Sequence, residues 1–236
     1  MEDIRGAKLR LLWYQGRTSL LSMATNPIHS SEFVVPEARS KAAAQEWGRI
    51  MVLDELHKRQ RQRLLETIHM TDAIVLDVVS AFLFPVLVLD PGSRCFLRSA
   101  EWDLYVSLSA PSVQKRLWDF PLQLSVDSLE SVMTPLYRLQ PALRLLFHLP
   151  RPCFDDGVTF DDPELTRNLD YYHYYGKELY LAASRMFSGV DLINCGGEQA
   201  DPAPYNGRNP FHYTESHRIL LRKEIERLIV GSAAVS

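Results

Sequence analysis

Residues 161–189 read DDPELTRNLDYYHYYGKELYLAASRMFSG, and this stretch predicts a long amphipathic α-helix. Asp161 and Asp162 precede Pro163, which is the pattern of a capped helix with proline in its first turn. Apolar residues then recur at spacings of three, four or seven, and Gly189 follows as a helix terminator. The apolar stripe consists of Leu165, Leu169, Tyr172, Leu179, Ala183 and Met186.

Similar patterns predict further helices along the chain. Residues 35–37 (VPE) open a helix that reaches about Leu56, because proline and glutamate suit a first turn. Thr71-Asp72 predicts the cap of a helix to about Phe84, and a last helix runs from about 214 to 230. Beyond residue 99, repeated prolines predict short helices, the last with an apolar stripe at Leu136, Leu139, Leu143, Leu146 and Phe147.

One β signal interrupts this helical pattern. Residues 86–89 form an apolar, partly β-branched run, residues 90–93 (DPGS) form a strong turn, and residues 94–97 can return antiparallel. The predicted fold class is therefore mostly α: an irregular helical domain with at most a minor β-hairpin near residues 86–97. Since no linker divides the chain, we expect a single helical domain over residues 36–236.

The composition is that of an ordinary globular protein, with 46% hydrophobic and 23% charged residues. The formal net charge of −3 gives no global attraction to nucleic acid or anionic membrane. Three widely spaced cysteines argue against a disulfide scaffold or a structural zinc site, and they suit a reducing compartment. Residues 73–89 are the most apolar stretch, but Asp77 and Pro85 make a membrane span unfavourable; peripheral membrane contact stays open.

Residues 1–35 form a basic N-terminal arm. There is no acidic residue from Ile4 to Ser31, while arginines, a lysine, serines and leucines are present. This composition is typical of an organelle-targeting segment, although Glu2 and Asp3 oppose that interpretation. The arm is therefore either an ordinary basic extension or an import signal, which predicts a mitochondrial location or otherwise a cytoplasmic one.

The sequence contains none of the common catalytic or cofactor motifs. It lacks GxGxxG, GxxxxGK[ST], HExxH, GxSxG and an EF-hand loop, so we assign no catalytic, cofactor-binding or metal-binding residue and lean against an enzyme. Asp155-Asp156 and Asp161-Asp162 could supply hard oxygen ligands to a divalent cation, but turn and capping roles fit them better. Cys195, without a placed base, is a weak candidate nucleophile.

Two segments are candidate contact surfaces. The run YYHYY at residues 171–175 cannot turn every ring to one core, and Tyr171 and Tyr174 fall outside the apolar stripe as a predicted partner interface. The second segment lies at the end of the first predicted helix, where clustered charges form either a solvated face or a nucleic-acid or lipid contact. Its basic residues are Lys58, Arg59, Arg61 and Arg63.

These observations rank three classes of function. We expect first a non-catalytic accessory or structural subunit of a larger multiprotein assembly, with a mitochondrial complex as the most specific setting. The second is an RNA-binding helical protein that uses the basic run and the tyrosines. The third is a helical enzyme with a carboxylate-based metal site at the acidic pairs. We expect no cofactor.

Overall fold

The computed structural model of the chain describes residues 19–28, 30–34, 43–90, 94–98, 102–109, 111–154, 159–195, 211 and 214–232. The α-helices in these ranges are α1 (Leu20–Met23), α2 (Ala43–His57), α3 (Arg59–Thr67), α4 (Val79–Leu83), α5 (Trp102–Tyr105), α6 (Leu122–Leu139), α7 (Pro163–Arg167), α8 (Leu169–Met186) and α9 (Glu215–Ser232). The strands are β1 (Phe33–Val34), β2 (Ala73–Asp77), β3 (Val86–Asp90), β4 (Arg94–Leu97), β5 (Ser107–Leu108), β6 (Val113–Lys115), β7 (Arg144–His148) and β8 (Val190–Ile193).

The described residues form three small sheets, so the protein is mixed α/β and the predicted mostly α fold class is wrong. The sheets have the strand orders β1-β5, β2-β7-β8 and β4-β3-β6. The hairpin near residues 86–97 is present, because β3 and β4 pair antiparallel with Val86 opposite Leu97. The error lies in the other strands, which occupy segments with helical or ambiguous patterns.

One compact unit of the chain consists of Met1–Leu12, Met70–Val79 and Ala142–Ser236, and it contains a parallel sheet. The central strand β7 pairs in parallel with β2 on one side and β8 on the other. Helices α7 and α8 connect β7 to β8, as a parallel connection requires. Phe147 of β7 is fully buried and meets the ring of Tyr180 of α8 edge-on at 5.9 Å between centroids.

The second compact unit consists of Trp13–His69 and Ser80–Pro141, and it is built around the antiparallel sheet β4-β3-β6. One face of this sheet turns Leu87 and Phe96 into a core that includes Val52 and Leu56 of α2. The opposite face carries a smaller cluster of Val86, Val88, Cys95 and Leu97, against which Phe84 and Phe120 pack. Compact units also occur within single domains, so the single domain over residues 36–236 stays a prediction.

The predicted helix from Thr71 to about Phe84 is replaced by β2 and the short helix α4. Every residue of β2 pairs in register with β7, from Ala73 opposite Arg144 to Asp77 opposite His148. The apparent cap at Asp72 belongs instead to the start of the sheet, where its carbonyl accepts the Arg144 N–H at 3.0 Å. A short apolar run does not distinguish a strand from a buried helix by periodicity alone.

A second misplaced helix is the one predicted through Leu136 and Phe147. Helix α6 ends at Leu139, and β7 begins five residues later at Arg144. The prolines of this region predict helix ends, yet α6 continues through Pro135 with Val132, Met133 and Leu136 buried. The apolar stripe therefore combines one face of a helix with a strand buried on both faces, where no polar alternation appears.

Several local predictions are confirmed. The Asp162 carboxylate accepts the Glu164 N–H at 2.9 Å, with Pro163 in the first turn of α7, as the capping pattern predicts. Gly189 lies between α8 and β8 with φ of +66°, a conformation that favours glycine. Helix α9 agrees with the predicted helix within two residues at each end. No helix within the described ranges is long and apolar enough to cross a membrane.

Candidate functional site

Helix α8 has a buried face that fixes the direction of its tyrosines. Tyr172, Tyr175, Leu179 and Ala183 are buried, which confirms the inward position predicted for Tyr172 and adds Tyr175 to it. The Tyr172 hydroxyl donates to the Pro150 carbonyl at 2.8 Å, and burial raises the pKa of Tyr172. This face of α8 is therefore part of the core, with its side chains packed and the Tyr172 hydroxyl hydrogen-bonded.

Tyr171 and Tyr174 lie beside each other on the outer part of α8. Their ring centroids are 6.2 Å apart, and Tyr174 is 52% exposed while Tyr171 is half-buried. The ring of Tyr171 also stacks on that of buried Tyr175, with 6.1 Å between their centroids. The pKa of Tyr171 is raised mainly by burial and to a smaller extent by the neighbouring Tyr174. The inner ring is therefore anchored on the core and the outer ring is open to solvent, so their partner contact stays a prediction.

The first residue of the basic run, Lys58, is buried. It separates α2 from α3 with φ of +53°, a left-handed conformation that is uncommon for residues other than glycine. Its ammonium donates to the Ser22 hydroxyl and to the Cys95 carbonyl, both at 2.6 Å, and lies 3.9 Å from the centroid of Phe96. Burial lowers the pKa of Lys58 to about 8. This burial argues against the predicted contact of Lys58 with a nucleic acid or lipid.

The partner of Lys58 is the equally buried Glu55, 3.7 Å away. The Glu55 carboxylate accepts the Leu97 N–H at 2.7 Å, the Gln60 amide at 3.2 Å and a short hydrogen bond from the Ser22 hydroxyl. Leu97 belongs to β4, which pairs with β3 on one side and with no strand of the described residues on the other. Charged side chains therefore replace the missing strand along this buried edge.

The same edge receives Thr25, which completes its hydrogen bonding. The Thr25 hydroxyl lies 3.1 Å from both the Cys95 N–H nitrogen and the Cys95 carbonyl oxygen. The Lys58 ammonium also donates to that carbonyl, so the main-chain groups of Cys95 form their hydrogen bonds on the side of β4 that faces away from β3. Buried main-chain groups need such partners, which explains why polar side chains occupy this part of the core.

The three arginines of the basic run also make contacts within the chain. Arg59 and Arg63 lie 3.6 and 2.5 Å from the fully buried carboxylate of Asp54, and Arg61 donates to the Ser131 carbonyl at 3.4 Å. Arg59 and Arg63 nevertheless keep exposed side-chain surface. Contact of these arginines with a nucleic acid or lipid stays a prediction.

One of the two acidic pairs contributes a helix cap, and the other lies outside the part of the chain that the structure describes. Asp162 caps α7, as predicted, whereas Asp155 and Asp156 lie outside the described residues. Among the described residues, no three histidine, cysteine, aspartate or glutamate side chains form a group able to hold a metal ion.

The carboxyl edge of the parallel sheet brings together residues that the helical prediction separates. Asp77 ends β2 opposite His148 of β7, which in turn lies opposite Ile193, two residues before Cys195. Ligands of parallel α/β sheets commonly bind at this edge. Desolvation by the surrounding protein raises the pKa of Asp77, although the residue keeps exposed surface.

The second unit contains a cavity of about 540 Å³ on the sheet face that carries Val88 and Cys95. Its volume is in the range of known ligand pockets, about 300–1,000 Å³. Exposed Val113 and Leu124 contribute to the lining, together with Lys115 and Asp119. Burial raises the pKa of the Cys95 thiol, so this cysteine is not activated as a nucleophile. The sequence pattern missed this cavity because β6 was not predicted.

The fold and these surfaces define a mixed α/β protein with an aromatic pair on one helix and an apolar cavity beside a sheet edge. Comparison of the chain with known protein families, curated proteins and solved structures found no match.

Proposed function

We propose that this chain is a non-catalytic subunit of a larger multiprotein assembly and that Tyr171 and Tyr174 contact a partner protein. The observation that carries this proposal is the geometry of the pair, with one ring anchored on the core and one 52% exposed. Tyrosine is enriched at protein interfaces because it provides apolar area at a low cost in conformational entropy. The packing of Tyr171 against Tyr175 and Tyr174 fixes the position of its ring before a partner binds.

Helix α9 supports the same proposal from a second position in this unit. Its polar residues His217 and Glu226 are buried, while Ile219 and Leu220 are 47% and 46% exposed. A helix of a monomeric protein usually turns its apolar residues inward and its polar residues to solvent. These four departures from the usual pattern favour a partner that covers Ile219 and Leu220.

A protein partner is preferred to RNA because the basic run is largely engaged within the chain. Lys58 is buried, and the carboxylate of Asp54 lies beside Arg59 and Arg63. Neutralising a few phosphates through the remaining surface would give weak and strongly salt-dependent binding.

The proposed setting of the assembly is the mitochondrion, and this rests on the basic, serine-containing N-terminal composition alone. The cellular location is tested by imaging the full chain with a C-terminal tag. Co-localisation with a mitochondrial marker would support this setting, and exclusion from mitochondria would contradict it without affecting the proposed assembly.

Affinity purification of the tagged full chain tests the partner contact. The double variant Tyr171→Ser/Tyr174→Ser should fold normally but lose its co-purifying subunits, because an interface anchor contributes about 2 kcal/mol or more. Leu139→Ser is the matched control, since Leu139 is exposed in the other unit and its change should leave the subunits bound. A folded double variant that retains all subunits would contradict the proposed contact.

A core variant tests whether the two faces of α8 are assigned correctly. Tyr172→Ala should lower the free energy of unfolding by about 3 kcal/mol, because it creates a core cavity and removes the bond to Pro150. Thermal unfolding followed by circular dichroism measures this loss. If Tyr172→Ala is silent and the Tyr171/Tyr174 variant unfolds, the proposed orientation of the helix is wrong.

A further inference from the structure

Among the strands that the structure describes, β6 is the outer strand of the antiparallel sheet on the side away from β4, and it lies beside the cavity. It pairs with β3 through Lys115 opposite Val86, Gln114 opposite Leu87 and Val113 opposite Val88. Val113 is 60% exposed, and Gln114 is also exposed. This edge is unlike the edge at β4, where side chains of Thr25, Glu55 and Lys58 take the main-chain groups.

The hydrogen bonds of β4 determine which groups of β6 point outward. In antiparallel sheets, residues bonded to one neighbouring strand alternate with residues bonded to the other. Cys95 is bonded away from β3, so its neighbour Phe96 is bonded to Leu87 of β3. Val86 and Val88 are then bonded to β6, which leaves the N–H and C=O of Gln114 pointing away from the sheet.

The side chains beside Gln114 line the cavity. Val113 and Lys115 lie on the same face as their register partners Val88 and Val86, and both contribute to the cavity lining. The Lys115 ammonium lies 5.5 Å from the Phe120 ring centroid, and no carboxylate in the described part of the chain pairs with it. The Asp119 carboxylate accepts the Arg116 N–H at 2.6 Å and closes the edge beyond Lys115.

We propose that β6 binds an extended segment of a partner protein as an added antiparallel strand. The partner residue opposite Gln114 would accept a hydrogen bond from the Gln114 N–H and donate one to the Gln114 carbonyl. Such main-chain hydrogen bonds are the usual source of affinity in strand addition. The two flanking residues would face the cavity side, an acidic one beside Lys115 and an apolar one beside Val113. For an antiparallel strand, this defines a segment with the order acidic, any residue, apolar.

Charge complementarity favours this segment over a second copy of the chain. If two β6 strands paired antiparallel about Gln114, Val113 of each copy would lie opposite Lys115 of the other. Neither lysine would then gain a carboxylate, and a lysine at an edge strand opposes such self-association. The inference rests on the proposed partner-binding function and names a contact separate from Tyr171 and Tyr174.

Two fluorescein-labelled peptides, TTETLTT and TTKTLTT, test the inference by fluorescence anisotropy with the full chain. The acidic peptide should bind about threefold more tightly than the basic one, as expected for a partly exposed ion pair. Lys115→Glu should reverse this preference. Methylation of the central threonine nitrogen in TTETLTT should weaken binding by about tenfold, because it removes the donor opposite Gln114.

Variants at Gln114 separate strand addition from other modes of binding. Gln114→Pro should weaken TTETLTT binding by at least about tenfold, since it removes an N–H that the sheet itself does not use. Gln114→Ser keeps the N–H and should bind like the wild type. Unchanged binding by the proline variant, or equal binding of both peptides, would overturn the inference. Concentration-dependent dimerisation that Gln114→Pro abolishes would also overturn it. Binding of the fatty acid decanoate without binding of either peptide would do the same. The Tyr171/Tyr174 test is independent of all these outcomes.

Discussion

Replacement of Lys58 by methionine should destabilise the protein by about 3 kcal/mol, because it leaves the buried Glu55 carboxylate without its cation. Losing one partner of a buried ion pair costs about 3–5 kcal/mol. The lower figure applies here because Glu55 retains hydrogen bonds from Ser22, Gln60 and Leu97. The Cys95 carbonyl likewise retains the Thr25 hydroxyl at 3.1 Å. Methionine and lysine tolerate the left-handed backbone of this position equally, so the change removes the ammonium, with its charge and its hydrogen bonds to Ser22 and Cys95, and adds no backbone strain.

Urea denaturation of a double-mutant cycle measures this coupling. We expect Glu55→Gln in the Lys58→Met background to cost less than Glu55→Gln in the wild type, with a coupling of about 1–3 kcal/mol. Additive effects of the two changes would show that Lys58 and Glu55 do not act as a pair. A stabilising Lys58→Met change would refute the account of the β4 edge, because it would mean that the ammonium contributes nothing to that edge.

Two further predictions concern capping and metal binding. Asp162→Ala should lower the free energy of unfolding by about 1 kcal/mol through a lost N-cap. Asp155→Asn/Asp156→Asn should leave the melting temperature unchanged with or without Mg²⁺, whereas a metal-dependent rise abolished by this variant would support a metal site.

The sequence predicts elements whose signals are local. The Asp162 cap and the hairpin at residues 86–97 depend on residues close together in the chain, and the structure contains both. The inward position of Tyr172 also follows from helical spacing alone. Such features do not require knowledge of distant partners, because capping and turn chemistry are set by a few adjacent residues.

The sequence does not predict features that depend on pairing between distant segments. Strand β2 becomes a strand because β7, some seventy residues later, pairs along its length. Lys58 looks like part of a solvated basic run, and its burial is explained by the edge of β4, where it binds a carbonyl that no described strand takes. The cavity beside β6 depends in the same way on a three-residue strand with no periodic signal. Tertiary context overrides local propensity at all three places.

The native size of the untagged protein, in lysate of the cells that make it, tests the proposed function most directly. The 27.1 kDa chain should migrate in a particle several times larger on size-exclusion chromatography, accompanied by a constant set of subunits. The particle should persist at physiological salt and after nuclease treatment, since its contacts are proposed to be with protein. Migration at the size of a monomer, with no co-migrating subunit, would contradict the proposed role as a component of an assembly.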